Sequence, residues 1–119
     1  MAHDDWVAGM CSSVPYSICF HAQQAAEKNL KAYLAARGQS VQKTHDLSSL
    51  LRTAASHDPS FTSLQVHAGV LAPFAVDIRY SESKALAESE CKPPWDAMTF
   101  INTKVFEAMT ELGLEAGDV

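Results

Sequence analysis

Long apolar runs are missing from this chain, and so are the short motifs that usually announce chemistry. No apolar stretch approaches the roughly 20 residues that a membrane-spanning helix needs. The amino end carries Asp4 and Asp5 where a signal peptide would carry Lys or Arg. Neither a secretory signal nor a span is expected, and the expected location is the cytoplasm. There is no G-x-G-x-x-G, no P-loop and no nucleophile motif. The three cysteines, Cys11, Cys19 and Cys91, form no C-x-x-C pair, which fits a reducing compartment with Cys19 as a small buried hydrophobe. His3, His21, His45, His57 and His67 show no close ligand spacing, so neither a metal site nor a cofactor is expected. Positive charge is also short: nine Lys and Arg against fourteen Asp and Glu give a net charge of −5. Coating of duplex DNA needs a broad basic surface and is excluded on that count. A local basic strip still suffices for one nucleotide or a short single strand.

Sustained alternation of apolar and polar residues is absent too, so no sheet is expected. What is present is helical spacing. At 119 residues, 47% hydrophobic and 19% charged, the chain reads as one globular domain over 1–119. Its richest stretch runs from Val14 to Arg37, dominated by Ala, Leu, Gln, Glu and Lys, with Pro15 suited to a first turn and Gly38 to a terminating position. At about 100° per residue, one arc holds Cys19, Phe20, Ala26, Leu30, Tyr33 and Leu34. A second arc of small residues holds Ile18, Ala22, Ala25, Ala32 and Ala36. Ser17, Gln24, Lys28 and Lys31, with His21 at the margin, form the only polar strip. This helix is therefore expected at the centre. Gln23 and Glu27 fall inside the large apolar arc, where an ionised carboxylate is costly unless paired.

Four further elements surround it in the sequence. Residues 3–11 make a short helix with Trp6, Val7 and Met10 on one side. Thr44 is placed to cap a helix from His45 to about Ser56, with Asp46 in its first turn and Leu47, Leu50, Leu51 and Ala54 as its stripe. Asp58-Pro59 separates it from a segment Phe61 to Tyr80, capped by Asp58 or Ser60 and kinked at Pro73. Residues 81–94 read as a polar loop. Pro94 then opens a last helix with Trp95, Met98, Asn102, Val105, Phe106, Met109 and Leu112 as its stripe, ended by Gly113. Short connections between four to five amphipathic helices predict an all-α, antiparallel up-and-down bundle.

Three blocks carry a resemblance. C-F-H-A-Q-Q-A-A-E-K-N-L-K-A-Y-L (Cys19 to Leu34), K-T-H-D-L-S-S-L-L (Lys43 to Leu51) and V-D-I-R-Y (Val76 to Tyr80) together resemble the HEPN domain, over roughly residues 14 to 81. The resemblance implies a helical bundle that commonly dimerises, association with nucleotides or RNA, and a small nucleotidyltransferase partner in a toxin–antitoxin-like pair. Ribonuclease members of that family carry an Arg followed four to six residues later by His. Here Arg79 is followed by Tyr80-Ser81-Glu82-Ser83-Lys84-Ala85-Leu86, and no histidine occurs after His67. The similarity is thus to short members whose helix ends in Arg-Tyr-Pro, with Ser81 in place of that proline, and no catalytic residue is assigned.

These readings give a specific site. Glu27 and Arg79 are expected to pair on facing helices, with Gln23 and His45 nearby, because a guanidinium fork matches a carboxylate or a phosphate. Arg79, Tyr80, His45, Lys28, Lys31 and Gln24 are the expected nucleotide-binding residues, and Glu27, Gln23 and Asp46 the polar network beside them. Two other readings stay open. One is an RNA-cleaving toxin in which His45 or His21 supplies the proton carrier. The other is an interaction module with no ligand.

Overall fold

The computed structural model describes residues 15–40, 43–75 and 88–113. Four α-helices and two 3-10 segments account for most of them, and no strand occurs among the described residues. Helix α1 spans Pro15–Ala36, α2 Leu47–His57, α3 Gln65–Leu71 and α4 Glu88–Glu111. The 3-10 segments Pro59–Leu64 and Ala72–Phe74 flank α3. The expected helix at 3–11 lies outside the described residues.

Helix α1 ends as its sequence predicts. Gly38 takes φ +81°, its N–H donates to the Ala35 carbonyl at 3.0 Å, and the Gln39 N–H reaches the Leu34 carbonyl at 2.9 Å. That pair of bonds satisfies two carbonyls the helix leaves open, and it needs a residue tolerant of positive φ. The burial pattern follows most of the helical wheel: Ile18, Cys19, Ala22, Ala26, Leu30, Tyr33 and Leu34 are buried and His21 and Lys28 exposed, but Phe20, Ala25 and Ala32 are only half-buried and Ala36, at the helix end, is exposed. Gln23 and Glu27 are buried among them.

Residues 59–74 run against α1 and α4. Tyr33 packs on Phe61 with ring centroids 4.8 Å apart, His67 stacks on Phe100 at 4.6 Å, and Phe74 packs with Ile18, Cys19 and Cys91. The expected all-α bundle is present, with α2 and the 59–74 segment as an antiparallel pair joined at Asp58. The placement of α2 departs from strict alternation, because residues 43–46 lie back along α1. Helix α2 starts beside Glu27 and ends where His57 meets Gln39. Leu47, Leu50, Leu51 and Ala54 of α2 close the main core over α1, with Phe61, Leu64, Ala68 and Leu71 beneath them.

Several boundaries differ from the sequence reading. Thr44 does not cap α2: Asp46 does, accepting the Ser48 N–H at 3.0 Å, while the Thr44 hydroxyl accepts the Asp46 N–H at 3.1 Å. An aspartate cap is as favourable as any, and the shift leaves His45 outside the helix. Asp58 closes α2 and also caps the 3-10 segment after it, accepting the Ser60 N–H at 3.0 Å. The bend expected at Pro73 takes the form of the 3-10 turn Ala72–Phe74.

The last helix begins at Glu88, with Pro93 and Pro94 inside it, so Pro94 is not its opening residue. Burial of Cys91 against Ile18 and Cys19, and of Pro94 itself, holds the chain helical ahead of the prolines. The buried stripe of α4 is Cys91, Ala97, Met98, Ile101, Val105 and Ala108. Phe106 and Leu112, expected inward, are exposed. Among the described residues no helix is long and apolar enough to cross a membrane.

Candidate functional site

The buried carboxylate is the centre of the polar chemistry. Glu27 is 4% exposed, and three side chains converge on it. His45 Nδ1 lies 3.0 Å from both carboxylate oxygens, Lys31 Nζ donates to Oε2 at 3.1 Å, and Gln23 Nε2 reaches Oε1 at 3.4 Å. Burial alone would push the Glu27 carboxyl up. The hydrogen bonds from His45, Lys31 and Gln23, with the lysine charge, outweigh burial and hold it below its usual value. Glu27 is therefore ionised, and an ionised carboxylate only accepts, so the histidine hydrogen sits on Nδ1.

Gln23 ties this centre to the loop before α2. Its amide nitrogen also donates to the His45 carbonyl at 3.3 Å, and its oxygen accepts from Gln24 Nε2 at 2.8 Å. Every hydrogen-bonding end of the Gln23 side chain thus has a partner, as a fully buried amide requires. The arrangement fixes both the ring and the backbone of His45. The ring remains 70% exposed on its outer side.

Beside this network a cleft of about 380 Å³ opens between α1, α2 and α3. Gln23, His45, Ser48 and Gln65 form its polar side, and Ala68, Gly69 and Ala72 of the 65–74 segment part of its floor. Ser48 and Gln65 bond reciprocally along that side: the serine hydroxyl donates to Gln65 Oε1 at 2.7 Å, and Gln65 Nε2 donates to the Ser48 carbonyl at 3.0 Å. Arg52 Nη1 adds a bond to the serine hydroxyl at 3.0 Å. The result is a rigid polar wall facing a shallow floor of small residues.

The residues singled out in the sequence distribute as follows. Glu27, Gln23 and His45 come together, and His45, Gln23 and Asp46 line the cleft. Lys31 is committed to Glu27, and Gln24 to Gln23. Lys28 is exposed and lies away from the cleft wall. Asp46 serves as a helix cap, with no bond to Glu27 among the described contacts. Arg79 and Tyr80, and with them the expected Glu27–Arg79 pair, lie outside the described residues. Among the described residues, the charged or ring partners of Glu27 are Lys31 and His45. Ser48, Gln65 and Gly69 were not singled out in the sequence. The one signal for them was a glycine inside a helical stripe, which costs helix stability and so asks for a reason.

No group of three His, Cys, Asp or Glu among the described residues stands close enough to hold a metal. The family model described as the HEPN domain matches residues 12–103, most of the chain. No curated protein and no solved structure matches it.

Proposed function

The chain belongs to the HEPN domain family, and from that premise we propose that it is a nucleotide-binding accessory subunit, itself without catalysis. Membership makes it a HEPN-type module, nucleotide-related or ribonuclease-like. The finer reading is a cytoplasmic homodimer that works beside a small nucleotidyltransferase in a toxin–antitoxin-like pair. One observation carries the ligand-binding part of it. The Glu27–His45–Gln23 network has one wall in the core and the other on an open cleft, with a histidine locked in orientation at the boundary. Such preorganisation reduces the ordering cost of binding a small polar ligand.

Calorimetry with ribonucleoside 5′-monophosphates tests this reading. The wild-type protein is expected to bind at least one of them, and His45→Ala to bind it about tenfold more weakly, the loss of one good hydrogen bond. Absence of binding by the wild type to every nucleotide contradicts it. Light scattering tests the homodimer, with an expected mass of twice the 12.9 kDa chain.

RNA cleavage is the second reading, and one observation favours it. A carboxylate on Nδ1 leaves Nε2 of His45 on the exposed side, the arrangement in which a histidine exchanges protons with a substrate. Labelled RNA incubated with the wild type, His45→Ala and Arg79→Ala separates the two. The accessory reading predicts intact RNA in all three. Cleavage that disappears in His45→Ala establishes the second reading instead.

A further inference from the structure

Gly69 sits within α3, and nothing among the described residues calls for a glycine there. Its φ is not in the left-handed region, and a Cβ built on it meets no described atom within 4 Å. A glycine inside a helix costs about 0.8–1 kcal/mol relative to alanine. The empty space next to Gly69 belongs to the cleft, whose floor it shares with Ala68 and Ala72. Glycines of this kind are found where a ligand must approach the backbone closely.

The backbone there has something to offer. The Ala72 N–H donates to the Ala68 carbonyl, and residue 73 is proline, with no N–H. The Gly69 carbonyl is thereby left without a donor from either the third or the fourth residue ahead of it. A carbonyl with spare accepting capacity thus lies at a cleft floor whose other described residues are alanines, opposite the polar wall. No Lys or Arg among the described residues lines this cleft. A phosphate, which is bound by paired or clustered cations, has no cationic partner on the floor among the described residues. The Arg52 guanidinium donates to the Ser48 hydroxyl and is not among the residues lining the cleft. The volume, about 380 Å³, falls in the roughly 300–1,000 Å³ range of small-molecule sites.

We propose that the cleft seats the base of the nucleotide and leaves its phosphate outside. The flat ring lies against Gly69, and one of its N–H groups donates to the Gly69 carbonyl. The amides of Gln65 and Gln23 hold the cleft wall rigid beside it. This proposal rests on the nucleotide-binding reading and goes further by naming the part of the ligand that the cleft recognises. Gly69 then sets specificity by leaving room for a ring.

The experiment compares adenosine, cytidine, guanosine and uridine with their 5′-monophosphates, on wild type, Gly69→Leu and Ala72→Leu. At least one nucleoside is expected to bind within about tenfold of its monophosphate, with little dependence on added salt, because phosphate contacts contribute little. Both leucine variants are expected to keep the wild-type circular dichroism and to lose binding at least tenfold. Two positions guard against a single variant failing to fold. If monophosphates bind but no nucleoside does, or if a folded leucine variant binds as the wild type does, the base seat is wrong and the nucleotide reading survives. If neither nucleosides nor monophosphates bind the wild type, both fall together.

Discussion

Glu27 shows what a single buried charge demands of its surroundings. Its inward direction was legible in the sequence, because Gln23 and Glu27 fall on the apolar arc of a helix with one polar strip. Its partners were less so. His45 read as the first residue of α2, and only the transfer of the cap from Thr44 to Asp46 puts it outside the helix, free to reach back to α1. Two capping residues two positions apart compete at that point, and propensity alone does not rank them. Substituting Glu27→Gln removes the charge at nearly constant shape. His45 and Lys31 then lose a charged acceptor, and the cost is expected at about 1–3 kcal/mol. Thermal melting near neutral pH checks this as a clear fall in Tm. An unchanged Tm means that the pairing does not contribute to the fold.

At the scale of elements, the lesson is how caps and prolines set boundaries. Asp58 closes α2, caps the 3-10 segment Pro59–Leu64 and stands 3.7 Å from Lys104 of α4. Replacing it by alanine removes the cap from the turn that reverses the chain, with an expected loss of about 0.5–2 kcal/mol. Asp58→Asn, which keeps the capping oxygen, should recover most of it; chemical denaturation of the two variants side by side checks that order. The sequence located this turn correctly because Asp-Pro is a strong signal. It misplaced the start of α4 because two adjacent prolines read as a helix opening. There, tertiary burial of Cys91 and Pro94 outweighs two missing backbone donors. The stripe of α4 was misjudged because apolar identity was weighed above position: Ala97, Ile101 and Ala108 face inward, while Phe106 stands 60% exposed and Phe100 57%.

At the scale of the whole molecule, the all-α bundle and the central role of α1 were legible from spacing, and the cleft was not. A cleft is made of what packing leaves unfilled, and no residue pattern within one helix announces it. Its lining comes from three helices, with α2 and α3 joined through Ser48 and Gln65 and Gln23 supplied by α1. Acid stability ties the levels together. The folded-state pKa values of Glu27 and Asp58 are both lowered, so their stabilisation is complete above the usual carboxylate range. It is lost as pH falls through that range, from about pH 5 downward. Tm measured against pH should therefore drop on the acid side, less steeply in Glu27→Gln than in the wild type.

The most direct measurement is a carbon-13 NMR titration of the Glu27 side-chain carboxyl in the wild type and in His45→Ala. A buried carboxylate held ionised by His45 and Lys31 predicts a midpoint below that of an ordinary glutamate, rising when the imidazole is removed. A midpoint at or above the ordinary value in the wild type, unmoved by His45→Ala, contradicts the account.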